Sequence, residues 1–303
     1  MGGVGTGSAF VANLSALSKW RLNMRLLHEI TEPKTEVEFL GKSLRLPVLA
    51  APIGGISYNM GGAVPEDAYI KAVISGCVAE GTLGCVGDGV PDVIHEEGYA
   101  AIKEAGGAGI PFIKPWDEAE LTAKIEKALA SGAEIIGMDV DAAGLVTLKL
   151  MGRPVTPKSP EALKQIIREA RAKLILKGVM TADDARLAVD AGVHAIVVSN
   201  HGGRVLDHTP GTAEVLPEIA AAVNGQIPIL ADGGVRTGGD VLKLLALGAD
   251  AVMIGRPISV AAIGGGQEGV KTYLGQIESE LKSAMVLTGT ADAAAVENAI
   301  LRP

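Results

Sequence analysis

The sequence predicts a closed (β/α)8 barrel. Three observations carry that reading. Short apolar runs recur eight times along the chain, each giving way to a small or polar loop and then to residues with helical spacing. Three helix-to-strand junctions repeat one pattern, a terminating glycine, an acidic or polar residue and an apolar strand: Gly132-Ala133-Glu134-Ile135-Ile136, Gly192-Val193-His194-Ala195-Ile196 and Gly248-Ala249-Asp250-Ala251-Val252. Finally, no Gly-x-Gly-x-x-Gly opens the first helix with an acid after the second strand, which weighs against an open Rossmann-like sheet.

Residues 1–46 form a lead-in and residues 47–303 the barrel. The lead-in holds a Gly-rich start, a helix-like run containing Leu14, Leu17, Trp20, Leu26 and Leu27, and a short strand from Val37 to Leu40. The first barrel strand is Pro47 to Pro52, with the loop Ile53-Gly54-Gly55. Its helix starts near Pro65, a good first helical position, and carries Ile70, Val73, Ile74, Cys77 and Val78 at spacings of three and four. The second strand runs near Thr82 to Val86 and ends in Gly87-Asp88-Gly89, with a helix from about Asp92. The third is Ile110 to Ile113, ending in Lys114-Pro115-Trp116. Asp117 and Glu120 then make a start resembling a capping box, and Gly132 stops that helix. The fourth strand spans Glu134 to Val140 and ends in Asp141. Residues 142–158 show no clear periodicity and read as a lid or a mobile loop. A helix over Pro160 to Ala172 leads to the fifth strand, Leu174 to Leu176, ending in Lys177-Gly178, and Thr181 with Asp184 caps the next helix. The sixth strand, Ala195 to Val198, runs into Ser199-Asn200-His201-Gly202-Gly203-Arg204. The seventh, Ile227 to Ala231, ends in Asp232-Gly233-Gly234-Val235-Arg236. The eighth, Ala251 to Ile254, ends in Gly255-Arg256-Pro257, and a closing helix covers roughly Gly269 to Leu287.

Composition narrows the function. Hydrophobic residues make up 48% of the 303, but aromatics only 3%, so aliphatic side chains and 40 glycines build the core. The net charge of -8, with no Lys/Arg-rich run, argues against nucleic acid as the main partner. No apolar run reaches membrane-spanning length, and no signal peptide is read at the amino terminus. Met1-Gly2-Gly3-Val4-Gly5-Thr6 matches the myristoylation pattern, but nothing downstream supplies the second membrane signal that stable anchoring needs. Two cysteines, Cys77 and Cys85, lack metal spacing and suit a reducing, cytoplasmic setting.

Barrels of this kind carry their chemistry at the carboxyl ends of the strands. There the sequence places Lys114, Asp141, Lys177, Ser199, His201, Arg204, Asp232, Arg236 and Arg256. Gly233, Gly234 and Arg236 after strand seven, with Gly255 and Arg256 after strand eight, form a phosphate cradle of backbone amides and guanidinium groups. Lys177 reads in two ways: a Schiff-base lysine with a depressed pKa, or a cation that stabilises negative charge on a cofactor. Asp141 either orients His201 or caps its own loop. No His/Cys/Asp cluster has metal-ligand spacing, so no metal is expected.

Four segments then carry a resemblance: Lys177-Gly178-Val179, Ser199 through Asp207, Asp232 through Arg236, and Gly248 through Pro257. Ordered from about residue 173 to 257, they resemble the FMN-dependent α-hydroxy acid oxidase/dehydrogenase family, which includes glycolate oxidase, lactate oxidase and flavocytochrome lactate dehydrogenase. The resemblance is weaker at Ala51-Pro52 and across strands three and four. It implies FMN as cofactor and oxidation of an L-2-hydroxy acid to the 2-oxo acid. It implies His201 as the base, Asp141 as its partner, and Lys177 beside the reduced flavin. It further implies that Arg204 binds the substrate carboxylate, that Asp232, Gly233, Gly234, Arg236, Gly255 and Arg256 hold the ribityl-phosphate, that Ala51 and Ser199 line the isoalloxazine, and that Lys114 also contacts the cofactor. A homo-oligomer, tetramer or octamer, is the family's usual state.

Departures accompany the match. The family usually has Gln where this chain has Lys114, Tyr at Trp116 and Thr at Asp139, and a further Tyr from an amino-terminal segment. Trp116 is taken as the substrate-side residue at the tyrosine position. Lys149 and Arg153 are the residues available to stand in for a second substrate arginine. Three other readings stay open: FMN-barrel chemistry of the isopentenyl diphosphate isomerase kind, a Schiff-base aldolase using Lys177, and a non-catalytic flavin-binding protein. The electron acceptor, whether oxygen, a quinone or a protein, is not specified by these residues.

Overall fold

The computed structural model describes residues 2–153 and 155–303. Met1, which opens the myristoylation pattern, and Pro154, within segment 142–158, lie outside the described residues. The ring is built from β1 (Val48–Ala50), β2 (Cys85–Val86), β3 (Ile110–Ile113), β4 (Ile135–Asp139), β5 (Lys173–Val179), β6 (Ala195–Val198), β7 (Ile229–Ala231) and β8 (Ala251–Ile254). Each strand pairs in parallel with its sequence neighbour from β2 round to β8, and β8 pairs with β1. A parallel bridge between Ala50 and Gly84 closes the last gap. Apart from Lys173 and Gly178, every strand residue is buried. The strands face side chains inside the ring and helices outside it, so they read as unbroken apolar runs rather than alternating ones. Gly137 in β4 shows how tightly the interior is filled: a β-carbon there would lie 2.3 Å from the Phe112 ring of β3.

Several expected boundaries shift. The second strand keeps only Cys85–Val86, because Leu83 and Gly84 serve the closing contacts, Leu83 O accepting from Ala50 N–H. Pro65 sits just before its helix, which is Glu66–Ala79. Cys77 packs in the core of that helix, and burial pushes its thiol up to about 12. The described part of segment 142–158 includes the end of a 3-10 turn, Val140–Gly144, and a short helix, Val146–Leu150. The closing helix extends back to Arg256–Thr288, with a break at Gly266 (φ 58°, ψ -144°) that separates the predicted half from an earlier one.

The lead-in differs most. Its helix is Ser8–Lys19 and stops at Trp20, so Leu26 and Leu27 lie outside it and are exposed. Arg21–Leu22 pairs antiparallel with Leu301–Arg302, which joins the two ends of the chain. The single expected strand becomes a hairpin, Val37–Phe39 with Lys42–Leu44, turning through left-handed Leu40 (φ 48°) and Gly41 (φ 78°). Among the described residues no helix is long and apolar enough to cross a membrane.

Candidate active site

All the strand-end loops open into one cleft at the carboxyl face, with about 1330 Å³ of empty space partly open to solvent. From the sequence-predicted set, Ala51, Lys114, Lys177, His201, Arg204, Asp232, Gly233, Gly234, Arg236, Gly255 and Arg256 line it. Asp141 lies directly behind His201.

The 3-10 turn after β4 brings Asp141 to the loop after β6, where Asp141 Oδ1 stands 3.0 Å from His201 Nδ1. That contact fixes the ring and directs Nε2 away from the carboxylate. Burial opposes the charge on Asp141, but His201 and Lys177 outweigh it and hold its carboxyl below the ordinary 3.8. Lys177 Nζ lies 3.2 Å from Asp139 Oδ1, both side chains almost fully buried. Burial again works against the charge, and the carboxylates of Asp139, Asp141 and Asp232 more than reverse it, raising the ammonium well above 10.5. The ion pair with Asp139 favours the protonated form, which suits a cation that stabilises negative charge rather than a Schiff-base lysine. Asp139, Asp141 and His201 bring potential metal-ligating atoms within 4.8 Å of one another. The Lys177 ammonium already stands against that carboxylate pair and supplies its countercharge.

Asp232 behaves differently. Burial raises its carboxyl, with Lys177 and Ser199 pulling against it. Its Oδ2 accepts from Ser199 Oγ at 2.8 Å, while Oδ1 is buried with no partner among the described residues. Beside it, Gly233 (φ 101°) and Gly234 (φ 84°) present backbone to the cleft, flanked by Arg236 and Arg256. Burial and the neighbouring Arg204 and Arg236 guanidinium groups lower Arg256, the sign of a cationic cluster suited to an anion.

Two placements differ from the sequence reading. Trp116 is not in the cleft lining. It is 2% exposed, and its indole N–H donates to Asp88 Oδ2 at 2.6 Å. Asp88 captures it because that carboxylate also accepts from Lys124 Nζ at 2.5 Å and from the Lys114 backbone N–H at 3.0 Å. Ser199 does not line the cleft either. It is fully buried, and its hydroxyl bridges Asp232 and the His201 N–H at 3.1 Å. Of the two stand-ins for a second arginine, Lys149 is exposed and Arg153 pairs with Glu120 over the outer face of Trp116.

Two further carboxylates join the site beyond the sequence-predicted set: Asp139 against Lys177 and Asp88 against the Lys114 backbone. Both sit at strand ends, and that position was the available signal.

Comparison with known proteins fits this geometry. A family model described as FMN-dependent dehydrogenase matches residues 1–149 and 147–303. The chain belongs to the FMN-dependent dehydrogenase family. Among this family's curated proteins, L-lactate oxidase of Lactobacillus jensenii is 32% identical across 96% of this chain and 77% of its own length. 2-Hydroxyacid oxidase 2 of Bos taurus is 30% identical across 96% of this chain and 88% of its own. A solved mandelate oxidase structure superposes with a TM-score of 0.85 at 31% identity, covering 99% of this chain and 91% of that one.

The cleft fits the family's cofactor on its own terms. Two guanidinium groups and left-handed glycine amides match a phosphate. The unpartnered Asp232 Oδ1 offers an acceptor to a ribityl hydroxyl, and Gly255 leaves open the space where a β-carbon would lie 3.1 Å from Ile53.

Proposed function

We propose that the protein oxidises an L-2-hydroxy acid to the 2-oxo acid, with FMN as its electron acceptor. The observation that carries this reading is the shared loop after β6: His201, backed by Asp141, and Arg204 face the same cleft as the phosphate cradle. Bound FMN would supply the two-electron acceptor for the hydride equivalent that the oxidation releases.

The chain's residues do the rest. Arg204 binds the substrate carboxylate through its planar fork and so orients the reacting carbon. His201 takes the hydroxyl proton at Nε2, because Nδ1 faces Asp141. Asp141 stabilises the imidazolium that results. Lys177, kept cationic, compensates the negative charge that arrives with the electrons. Lys114 adds a second ammonium to the same wall. Arg236, Arg256 and the Gly233–Gly234 amides would hold the FMN phosphate, Asp232 would serve the ribityl chain, and Ala51 and Gly255 would border the ring. The buried free thiols of Cys77 and Cys85 support a reducing, cytoplasmic setting, and the family supports a homo-oligomer.

The test is an anaerobic titration of the FMN-loaded protein with glycolate, L-lactate and L-mandelate. The oxidised-flavin absorbance bleaches with at least one of them. Bound FMN that no 2-hydroxy acid bleaches favours a non-catalytic flavin protein and ends this reading.

A further inference from the structure

We propose that Asn13, on the amino-terminal helix, is a positioning residue that holds the loop carrying His201 and Arg204 in its working shape. This rests on the function proposed above and goes beyond it.

The loop needs holding. His201, Gly202 and Gly203 are three successive left-handed residues, with φ of 57°, 63° and 79°. This run folds the chain back on itself, so that His201 and Arg204 line one cleft. Side chains with a β-carbon resist that conformation, so His201 does not adopt it without help. The help comes from outside the loop. Asn200 Oδ1 accepts from the Gly203 N–H at 3.1 Å and from Asn13 Nδ2 at 2.9 Å. Asn13 Oδ1 in turn accepts from the Thr212 N–H at 3.1 Å, so the amide is fixed at both ends. Asn13 is 1% exposed, and water cannot take its place.

Neighbouring residues of the same segment repeat the contact. The Val4 N–H donates to Gly203 O at 2.8 Å. Asp207 accepts from the Thr6 N–H and hydroxyl and from the Ser8 hydroxyl, at 2.6 to 2.7 Å. The Phe10 ring lies 4.7 Å from the Arg256 guanidinium, which donates to Gly202 O at 2.9 Å. Residues 4–13 therefore grip the base loop from below, and Arg256 links that grip to the phosphate cradle.

Asn13→Asp is the discriminating variant. It keeps the oxygen that Thr212 needs and removes the donor to Asn200. Two quantities are read on FMN-loaded protein: deuterium uptake at residues 200–207, and the saturating rate of anaerobic flavin reduction by a hydroxy acid that bleaches the wild type. The expected results are uptake faster by about tenfold, and reduction slower by about ten- to a hundredfold, the scale of an ångström's misplacement. The KM also rises, because Arg204 shares the loop. A purely structural role would lower the melting temperature but leave the rate of the folded, flavin-loaded fraction unchanged, and that result overturns the proposal. If Asn13→Asp yields no loaded protein, Ser8→Ala at the half-buried edge of the grip gives the second reading. A fall in rate of a few-fold supports the proposal, and an unchanged rate overturns it. A wild type that no hydroxy acid reduces overturns the functional reading and this inference together. A reducible wild type matched by its variants overturns this inference alone.

Discussion

Lys177 is where a single residue decides between two chemistries. Enclosed by Asp139, Asp141 and Asp232, it stays protonated well above 10.5. Borohydride added with an aldehyde or keto acid should therefore leave no adduct on Lys177, and mass spectrometry checks this; a trapped adduct would restore the aldolase reading. The same contacts set the response of stability to pH. The Lys177 pKa is raised on folding, so its stabilising contribution is full below 10.5 and is lost as pH rises through the higher folded value. The Asp141 pKa is lowered, so its contribution is full above 3.8 and is lost as pH falls through the lower folded value. Denaturant titrations should show the Asp141 contribution lost at the acid extreme and the Lys177 contribution lost at the alkaline extreme. Arg204→Lys should weaken hydroxy acid binding by about tenfold, since an ammonium cannot make the paired contact; unaltered KM values across several hydroxy acids would remove that role. The sequence pointed to His201, Asp141 and Lys177 through their strand-end positions. It could not reveal the Lys177–Asp139 pair, because adjacent strand ends meet only when the ring closes.

Loops and the lead-in helix were the least legible elements. The family resemblance puts Trp116 on the substrate side, at the position of a tyrosine. Asp88 takes its indole instead, drawn from another loop 28 residues away. Segment 142–158 lacks apolar periodicity, since a helix as short as Val146–Leu150 has too few turns to show one. The lead-in helix was visible as a helix, but its contact with the loop after β6 spans 187 residues between Asn13 and Asn200. Gly203 records that contact: at φ 79°, a β-carbon there would lie 2.4 Å from Phe10 N. Gly203→Ala should cost about 2 kcal/mol or more, from left-handed strain plus displacement of backbone that cannot move aside. Urea unfolding of the two proteins measures it, and equal midpoints would mean that the helix yields freely.

At the scale of the whole molecule, eight strands place residues from Ala51 to Arg256 around one opening. The barrel was legible because its signals are local and repeated: an apolar run, a turn, a helix, and a glycine before the next strand. Ring closure makes the cleft a property of the complete fold, so FMN should stabilise the whole barrel. At a free concentration a thousand times Kd the gain is about 4 kcal/mol, read as a higher melting temperature; an unchanged melting temperature would place FMN off the folded barrel. The central claim is that this rim holds FMN beside an imidazole that takes the substrate's proton. Stopped-flow flavin reduction under anaerobic conditions, comparing wild type with His201→Ala, tests it most directly. The account predicts that His201→Ala keeps its FMN while the saturating rate falls by about a hundred- to ten-thousandfold. A flavin-loaded His201→Ala that is reduced as fast as the wild type would contradict it.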